Sequence, residues 1–391
     1  MSDPAATLRK MADAQAHRGP DAADVFLSED RRLGLAHRRL SILDTSHAAD
    51  QPMRSHDGNS VICYNGEVFN FRELAKRIEV PLKTTGDTEV LLEGIAQHGP
   101  EFMNEANGMF AIAQYDQQKR ELLLIRDRIG IKPLYIAERE EGLYFASELK
   151  ALKAVLPNLN LDPEAIELYL QVGFIPHPYT IYQGVQVFPT GHMATYSPER
   201  GLQLEPYWQL TERVPQQPQR FNSEKALIDK LDELVQAAVQ RRLIADVPLG
   251  AFLSGGIDSS LVTAIAQHHT DQPLQTFSIG FEDKKFNELH YAEAVSKHLK
   301  TDQHSFLLKE TQALEQIDKI LDVYDQPYAS GSAIPTLLVS EMARKHVTVA
   351  LSGDGGDESF LGYGAYLWAR RLSKPLVELT RRPMSGILKA S

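Results

Sequence analysis

The chain has 391 residues, 43% of them hydrophobic and 24% charged, which is enough apolar content for two or three packed domains and too much for a disordered chain. Its 41 Lys+Arg against 52 Asp+Glu leave a formal net charge of −11, which argues against a nucleic-acid or anionic-membrane surface but leaves backbone N–H groups free to hold small anions. A single cysteine, Cys63, excludes an internal disulfide and a multi-cysteine zinc site. With no long apolar run and no secretory apolar core, the expectation is a soluble, cytoplasmic protein without nucleic-acid or membrane partners.

In chain order, short β-rich runs bounded by Gly, Pro and Asp recur at 32–43, 60–70, 109–116, 120–128, 132–138 and 142–147. Apolar residues at helical spacing mark 88–99. Together they predict stacked antiparallel sheets with helices outside, an α+β first half. The polar, Pro/Gln-rich run 210–224 reads as a linker. That places one domain at 1–209, the linker at 210–222 and a second domain at 223–391. Beyond the linker, helices alternate with strands: helix 223–243, opened by Ser223, strand 247–253, helix 259–269, strand 274–281, helix 287–299, helices near 310–323 and 332–345, and strand 346–352. This alternation predicts a doubly wound parallel sheet and an α/β class for the chain as a whole.

In such sheets ligands bind beyond the carboxyl ends of the strands. One predicted strand ends in Ser254-Gly255-Gly256-Ile257-Asp258-Ser259, another near Ser278, Ile279 and Gly280, and a third in Ser352-Gly353-Asp354-Gly355-Gly356-Asp357-Glu358. Glycines let a backbone turn sharply and approach a ligand, and successive N–H groups at a helix start cradle an anion. The expected ligand is therefore phosphate, with pyrophosphate foremost. Neither Gly-Lys-Ser/Thr nor G-x-G-x-x-G occurs, so this is no Walker A loop and no dinucleotide fingerprint. The aspartates suit Mg2+, which bridges carboxylates to phosphates. A lone glycine pair serves only a turn more often than not. Two such loops, each carrying carboxylates, weigh against that reading here.

HRGPD (17–21), HRRLSILD (37–44), QPM (51–53), YNGEVFNF (64–71), GDTEVLL (86–92), NGMFAIAQYD (107–116), RDRIGIKPLY (126–135) and FASELKAL (145–152) precede LSGGIDSS and LSGDGGDE. This ordered set covers nearly the whole chain and resembles the glutamine-dependent asparagine synthetases. Their class II glutamine amidotransferase domain is followed by an ATP-pyrophosphatase synthetase domain. SGGxDS alone also occurs in other ATP pyrophosphatases. The resemblance implies an Ntn-hydrolase-like αββα first half and an adenine-nucleotide alpha hydrolase-like second half. It implies that ATP and Mg2+ activate aspartate as a β-aspartyl adenylate and that ammonia, drawn from glutamine, then attacks.

Matched position by position, the resemblance places ATP at Ser254, Gly255, Gly256, Asp258, Ser259, Ile279, Ser352 and Gly353, and Mg2+ on Asp258 and Asp357. Asp354 falls near the reacting carboxylate, where it could deprotonate ammonium. Arg39 matches the residue that grips the glutamine α-carboxylate, and Asp87 the one that holds its α-amino group. Asn65 and Gly66 match the oxyanion-hole donors, with Glu67 next to them. Taken alone, Asn65-Gly66 would read as a hairpin turn and Arg39 as an ion-pair residue.

Some positions depart from the family pattern. The family's glutaminase uses an N-terminal cysteine, usually in Met-Cys-Gly-Ile, whereas this chain opens within the helix before HRGPD. Ser2 is a poor substitute in its Ser2-Asp3-Pro4 context, and Cys63 reads as a small buried core residue. Losing a nucleophile can cost about six orders of magnitude in kcat, so the chain is expected not to hydrolyse glutamine. The second half ends at RRPMSGILKAS, ahead of the family's further helices and phosphate-contacting lysine, which suggests truncation at both ends. Ser359, Leu361, Gln326, Ser330 and Gly331 also break the usual motifs and weaken the aspartate-specific reading. Two alternatives stay open. One keeps the adenylating chemistry on another carboxylate, such as a sugar acid or a β-lactam precursor. The other is a non-catalytic nucleotide- or glutamine-binding partner of a full-length homologue. The substrates expected are aspartate, ATP and glutamine or ammonia, and a homodimer is compatible with all three readings.

Overall fold

The computed structural model describes residues 3–156, 158–215, 217–285 and 287–373. The expectations about Ser2 and the RRPMSGILKAS terminus lie outside these residues. Two compact units are present. One is built from the chain up to Pro248 with Glu310–Leu337, the other from Leu249–Lys309 and the described residues from Leu338 onward.

The first unit runs α1 (Pro4–Asp13), β1 (Ala22–Leu27), β2 (Gly34–Arg39), β3 (Met53–Arg54), β4 (Ser60–Val68), α2 (Phe71–Leu74), α3 (Asp87–His98), β5 (Gly108–Asp116), β6 (Glu121–Arg126), β7 (Tyr135–Arg139) and β8 (Gly142–Ala146). It continues through α4 (Leu149–Val155), α5 (Pro163–Val172), β9 (Gln186–Val187), β10 (His192–Ser197), β11 (Gly201–Pro206), α6 (Leu210–Arg213) and α7 (Glu224–Arg241). A six-stranded antiparallel sheet has the order β11-β10-β6-β5-β4-β3, and separate sheets are formed by β1-β2 and by β8-β7-β9.

Both faces of the large sheet are buried, so its central strands read as nearly continuous apolar runs. Side chains alternate across a strand. Phe110 and Ile112 of β5 pack with Ile62, Leu123 and Ile125 and with Leu91 and Ile95 of α3. Ala111 and Ala113 face the other way, with Val61, Leu122, Leu124 and the Phe26 and Leu35 of the small β1-β2 sheet. A third cluster joins Ala137 and Ala146 of β7-β8 to Leu149 and Leu152 of α4 and Ala165 of α5. The layers are thus helix, sheet, sheet, helix, the αββα arrangement expected. Ser223 caps α7, its Oγ accepting from Ala226 N at 3.1 Å. Beyond α7, Asp246 ties into the same unit: its N–H donates to Ile42 O (3.0 Å) and its carboxylate accepts from Asp44 N (2.8 Å).

The second unit contains β12 (Leu249–Phe252), α8 (Ile257–His268), β13 (Gln275–Phe281), α9 (Leu289–Leu299) and β14 (Asp302–Leu308). After α10 (Glu310–Leu314) and α11 (Ile317–Val323), which belong to the first unit, come α12 (Ala333–Arg344), which belongs to the second unit from Leu338 onward, β15 (Val349–Leu351), α13 (Gly356–Phe360) and α14 (Gly364–Leu372). The sheet is parallel throughout, in the order β14-β13-β12-β15. The expected doubly wound sheet is present. From β12 the chain winds one way through β13 and β14, and β15 returns on β12's other side. The switch point of the winding therefore lies between β12 and β15. Among the described residues no helix is long and apolar enough to cross a membrane.

Candidate functional site

The residues expected on the glutamine side fall in the first unit. Asn65-Gly66 is not a hairpin turn. Both residues sit within β4, opposite Ala111 and Phe110 of β5. Glycine is required at 66 because a Cβ there would stand 2.2 Å from Met109 O and 2.8 Å from Phe110 Cα. Alternation puts Cys63 and Asn65 on one face of β4 and Tyr64 on the other. Asn65 Nδ2 donates to Ser147 Oγ at 3.2 Å. Tyr64 OH donates to Asp87 Oδ2 at 2.7 Å, and Val68 N reaches the same oxygen at 2.9 Å.

Asp87 opens α3 and is buried, and that burial pushes its carboxyl up despite the two hydrogen bonds. Glu67 is 9% exposed. Burial, aided by repulsion from Asp87, raises it to about 7, although Lys132 and Arg242 pull the other way. Arg39, Asn65, Gly66, Glu67 and Asp87 all border one cavity of about 970 Å3. Arg39 is not free there. Its terminal nitrogens donate to Ser46 O (2.9 Å), Asp50 Oδ1 (2.8 Å), Leu43 O (3.2 Å) and Asp44 O.

Lys132 also borders the cavity and was not singled out from sequence. Its signal is the RDRIGIKPLY run, which folds as a clamp. The Asp127 carboxylate accepts from the N–H groups of Phe110 (3.1 Å), Ile129 (3.2 Å), Ile131 (2.9 Å) and Lys132 (2.9 Å). Arg126 donates to Lys132 O, Phe188 O and Gly130 O. Burial lowers the Lys132 amine, while Glu67 raises it. His37, of the HRRL motif, donates through Nε2 to Tyr64 O (3.1 Å), and burial holds its ring near pKa 4, hence neutral at pH 7.

Cys63, read from sequence as a small buried core residue, packs against the buried cluster on its face of the large sheet. It is only partly buried and forms part of the cavity wall, because β4 turns its side chain toward the side where the small sheets lie. Burial nonetheless pushes its thiol up, which disfavours the thiolate. Cys63 in the folded protein is expected to react with a disulfide reagent at pH 8 at least about tenfold slower than free cysteine. Stopped-flow absorbance measures this, and a rate matching free cysteine would show an ionisable, accessible thiol.

The residues expected on the nucleotide side fall in the second unit. The chain leaves β12 through Ser254 and Gly255 and enters α8 at Ile257, with Gly256 as its N-cap. Gly255 has φ +85°, and a Cβ there would lie 2.5 Å from Tyr291 Cβ and 2.6 Å from Ala292 N. The turn is tied internally: Ser254 Oγ and Ser259 Oγ are 2.9 Å apart, Gly256 N donates to Ser254 Oγ (3.2 Å), and Ser259 Oγ donates to Gly256 O (3.2 Å). The first-turn N–H groups of α8 therefore form an open N-terminal cradle beside Asp258.

The loop after β15 meets this turn. A Cβ on Gly353 would stand 2.7 Å from Ser259 N, and one on Gly356 would stand 2.5 Å from the Asp258 carboxyl carbon. Ser352 Oγ donates to Asp354 Oδ2 at 2.9 Å. Gly355, at φ +91°, precedes α13, whose first turn carries Asp357. Ser254, Gly255, Gly256, Asp258, Ser259, Ser352 and Gly353 are thus gathered at the switch point, with Asp354 and Asp357 on the adjoining loop. Ile279 stands on β13, two residues beyond the last β12–β13 pair and opposite Phe306 of β14. Among the described residues no three His, Cys, Asp or Glu side chains converge as a complete protein metal cage.

The family profile described as "Glutamine amidotransferase domain" matches residues 1–208, and that described as "Asparagine synthase" matches 230–389. The chain is 39% identical over 386 residues to the "Putative asparagine synthetase [glutamine-hydrolyzing] 2" of Methanocaldococcus jannaschii, covering 93% of this chain and 74% of that protein. It is 34% identical over 362 residues to "Asparagine synthetase [glutamine-hydrolyzing] 1" of Bacillus subtilis, covering 92% of this chain and 56% of that protein. Among solved structures, the glutamine phosphoribosylpyrophosphate amidotransferase of B. subtilis matches with a TM-score of 0.39 and 15% identity over 78% of this chain and 66% of that one.

Proposed function

Because this chain belongs to the glutamine-hydrolysing asparagine synthetase family, we propose that its second unit activates a carboxylate, aspartate first, with ATP and passes it to ammonia. The observation that carries this reading is the meeting of the 254–259 and 352–358 loops at the switch point of a parallel sheet. The α8 N-terminus and the Ser254 and Ser259 hydroxyls receive the β- and γ-phosphates. The substrate carboxylate oxygen attacks the α-phosphorus and pyrophosphate leaves. Ammonia then attacks the acyl carbon and AMP leaves, with Asp354 taking the ammonium proton.

Asp258 and Asp357 are the pair that would hold Mg2+. The Asp258 carboxyl at the cradle, with Asp357 on the adjoining loop, would suit an ion that takes few protein ligands and completes its shell with water and phosphate oxygens. Mg2+ would neutralise charge on the departing pyrophosphate.

On the glutamine side, Asn65 Nδ2 and Gly66 N–H are oxyanion donors, and Asp87 receives the α-amino group. The terminal nitrogens of Arg39 can grip an α-carboxylate only by giving up part of their bonds to Asp50 and the 43–46 carbonyls. The chain's one thiol is Cys63, which burial keeps protonated, so the reading includes no glutamine hydrolysis by these 391 residues. Gln326, where the family motif carries an acid, accepts from Ile181 N at 3.2 Å, which leaves the choice of carboxylate to experiment. The reading also takes the protein as cytoplasmic and homodimeric, the latter to be checked by light scattering.

The deciding assay follows pyrophosphate release with ATP, Mg2+, aspartate and ammonium, and glutamate release from glutamine. Pyrophosphate without glutamate is the expected result. Pyrophosphate with a sugar acid but not with aspartate would reassign the acceptor. Saturable ATP binding without pyrophosphate from any carboxylate would favour a non-catalytic partner.

A further inference from the structure

The turn that follows Arg39 is held from a distant part of the chain. Asp44 has φ +49°, a left-handed conformation that is unfavourable for an L-residue and persists only where its surroundings hold it. Its carboxylate accepts from Thr85 N (2.8 Å) and from Ser46 N and Oγ (3.1 and 2.6 Å). Its own N–H donates to Asp246 Oδ2 at 2.8 Å, across 202 residues of chain. Asp246 also donates its N–H to Ile42 O at 3.0 Å, so one residue brackets the 42–44 turn from both ends. The bracket is itself anchored. Ile244 packs against the apolar cluster under α3, and the Arg242 guanidinium stands 4.3 Å from the centre of the buried Phe69 ring.

What the turn presents to Arg39 is backbone oxygen. Ile42 and Leu43 border the cavity together with Arg39. The Arg39 terminal nitrogens donate to the carbonyls of Leu43, Asp44 and Ser46 and to the Asp50 carboxylate. A carbonyl points where its peptide plane points, so the left-handed backbone at Asp44 decides where the guanidinium stands. Asp50 alone would leave the group free to pivot about one contact. A guanidinium recognises a carboxylate through a planar fork, and a fork already oriented loses less freedom on binding.

We propose that Asp246 is a positioning residue for carboxylate binding in the first unit: by fixing the Asp44 turn it fixes the carbonyls that orient the Arg39 fork. Asp246 acts through Asp44 and does not itself border the cavity. Its role rests on the reading of Arg39 as the grip for the glutamine α-carboxylate. Thr85 and Ser46 hold the Asp44 side chain rather than its N–H, so they do not replace Asp246. Without it the turn relaxes out of the left-handed region, the carbonyls swing away, and the guanidinium loses its fixed place.

The test uses the full chain with Asp246→Ala and with Asp246→Asn, which keeps an acceptor oxygen. Asp246 is exposed, so neither variant opens a hole in the core. By NMR, the Asp44 amide and the Arg39 guanidinium protons should exchange at least about tenfold faster in Asp246→Ala and near the parent rate in Asp246→Asn. Equilibrium dialysis with labelled L-glutamate should give an affinity roughly three- to tenfold weaker in Asp246→Ala and restored in Asp246→Asn, with Mg2+-ATP binding unchanged in both. Unchanged Arg39 exchange, glutamate bound as tightly or more tightly by Asp246→Ala, or an equal loss of glutamate and Mg2+-ATP binding would each overturn the proposal. Arg39→Gln separates the proposal from the reading beneath it. Glutamate binding lost in Arg39→Gln but kept in Asp246→Ala rejects the role of Asp246 and leaves Arg39 as the grip. Glutamate binding absent from the parent chain, or indifferent to Arg39→Gln, rejects Arg39 as the grip, and the exchange rates then decide whether Asp246 orients it.

Discussion

Glu67→Gln is expected to make the protein more stable at pH 8.5 by roughly 3 kcal/mol, with the gain shrinking below about 1 kcal/mol at pH 5. Glu67 is 9% exposed and lies near Asp87, and its carboxyl is raised from 4.5 to about 7. A carboxyl whose folded value exceeds its unfolded one is protonated more readily in the folded state. Its contribution to stability is present at low pH and is lost as pH rises from about 4.5 through about 7. Above that range both states are ionised, and the folded state carries the full cost of a buried negative charge beside Asp87. Glutamine keeps the shape and removes that ionisation. Lys132 and Arg242 oppose the shift without cancelling it, so charge removal should still stabilise. Urea unfolding of both proteins at pH 5, 7 and 8.5 measures the difference. An offset that is the same at all three values would show that Glu67 has an ordinary carboxyl and that the site is better solvated than its burial indicates.

The residues in this pair of sites differ in how far sequence alone could place them. The 254–259 and 352–358 turns were legible because their pattern is local. Small residues, a turn and a helix start lie within six positions, and strand alternation says which end of the sheet they occupy. The central strands β4 to β6 were legible because burial on both faces leaves an apolar run with little else to be. By contrast, β14 was not read as a strand. Its DQHSFLL sequence mixes polar and apolar residues as an edge strand can. β1 and the β10–β11 hairpin went unread for a similar reason. Asn65-Gly66 carries a hairpin signature that tertiary pairing with β5 overrides. The Tyr64–Asp87 hydrogen bond and the electrostatic influence of Lys132 on Glu67 span long stretches of chain, invisible to any local pattern. Arg39 could be matched to a role, but its engagement by Asp50 and three carbonyls is set by how the 43–50 loop folds back on it.

Gly255→Ala should cost about 2–5 kcal/mol and weaken Mg2+-ATP binding more than tenfold, whereas Gly355→Ala should cost only about 1–2 kcal/mol. Both glycines have positive φ, +85° and +91°, so both variants carry the penalty of an L-residue in the left-handed region. They differ in what a methyl group would meet. At 355 nothing lies within 4 Å. At 255 the new carbon would stand 2.5 Å from Tyr291 Cβ and 2.6 Å from Ala292 N, atoms of α9 that cannot swing aside like the end of a long side chain. The turn would have to move instead. It is held by the Ser254–Ser259 hydroxyl contact, and Gly353 packs against Ser259 N, so displacement at 255 passes to the α8 N–H groups that would face the phosphates. Thermal melts and ATP titrations on both variants separate strain from position. Equal losses in stability and in affinity would mean that backbone conformation alone sets the cost. In that case the close approach of the β12 turn to α9 would not be what shapes the cradle.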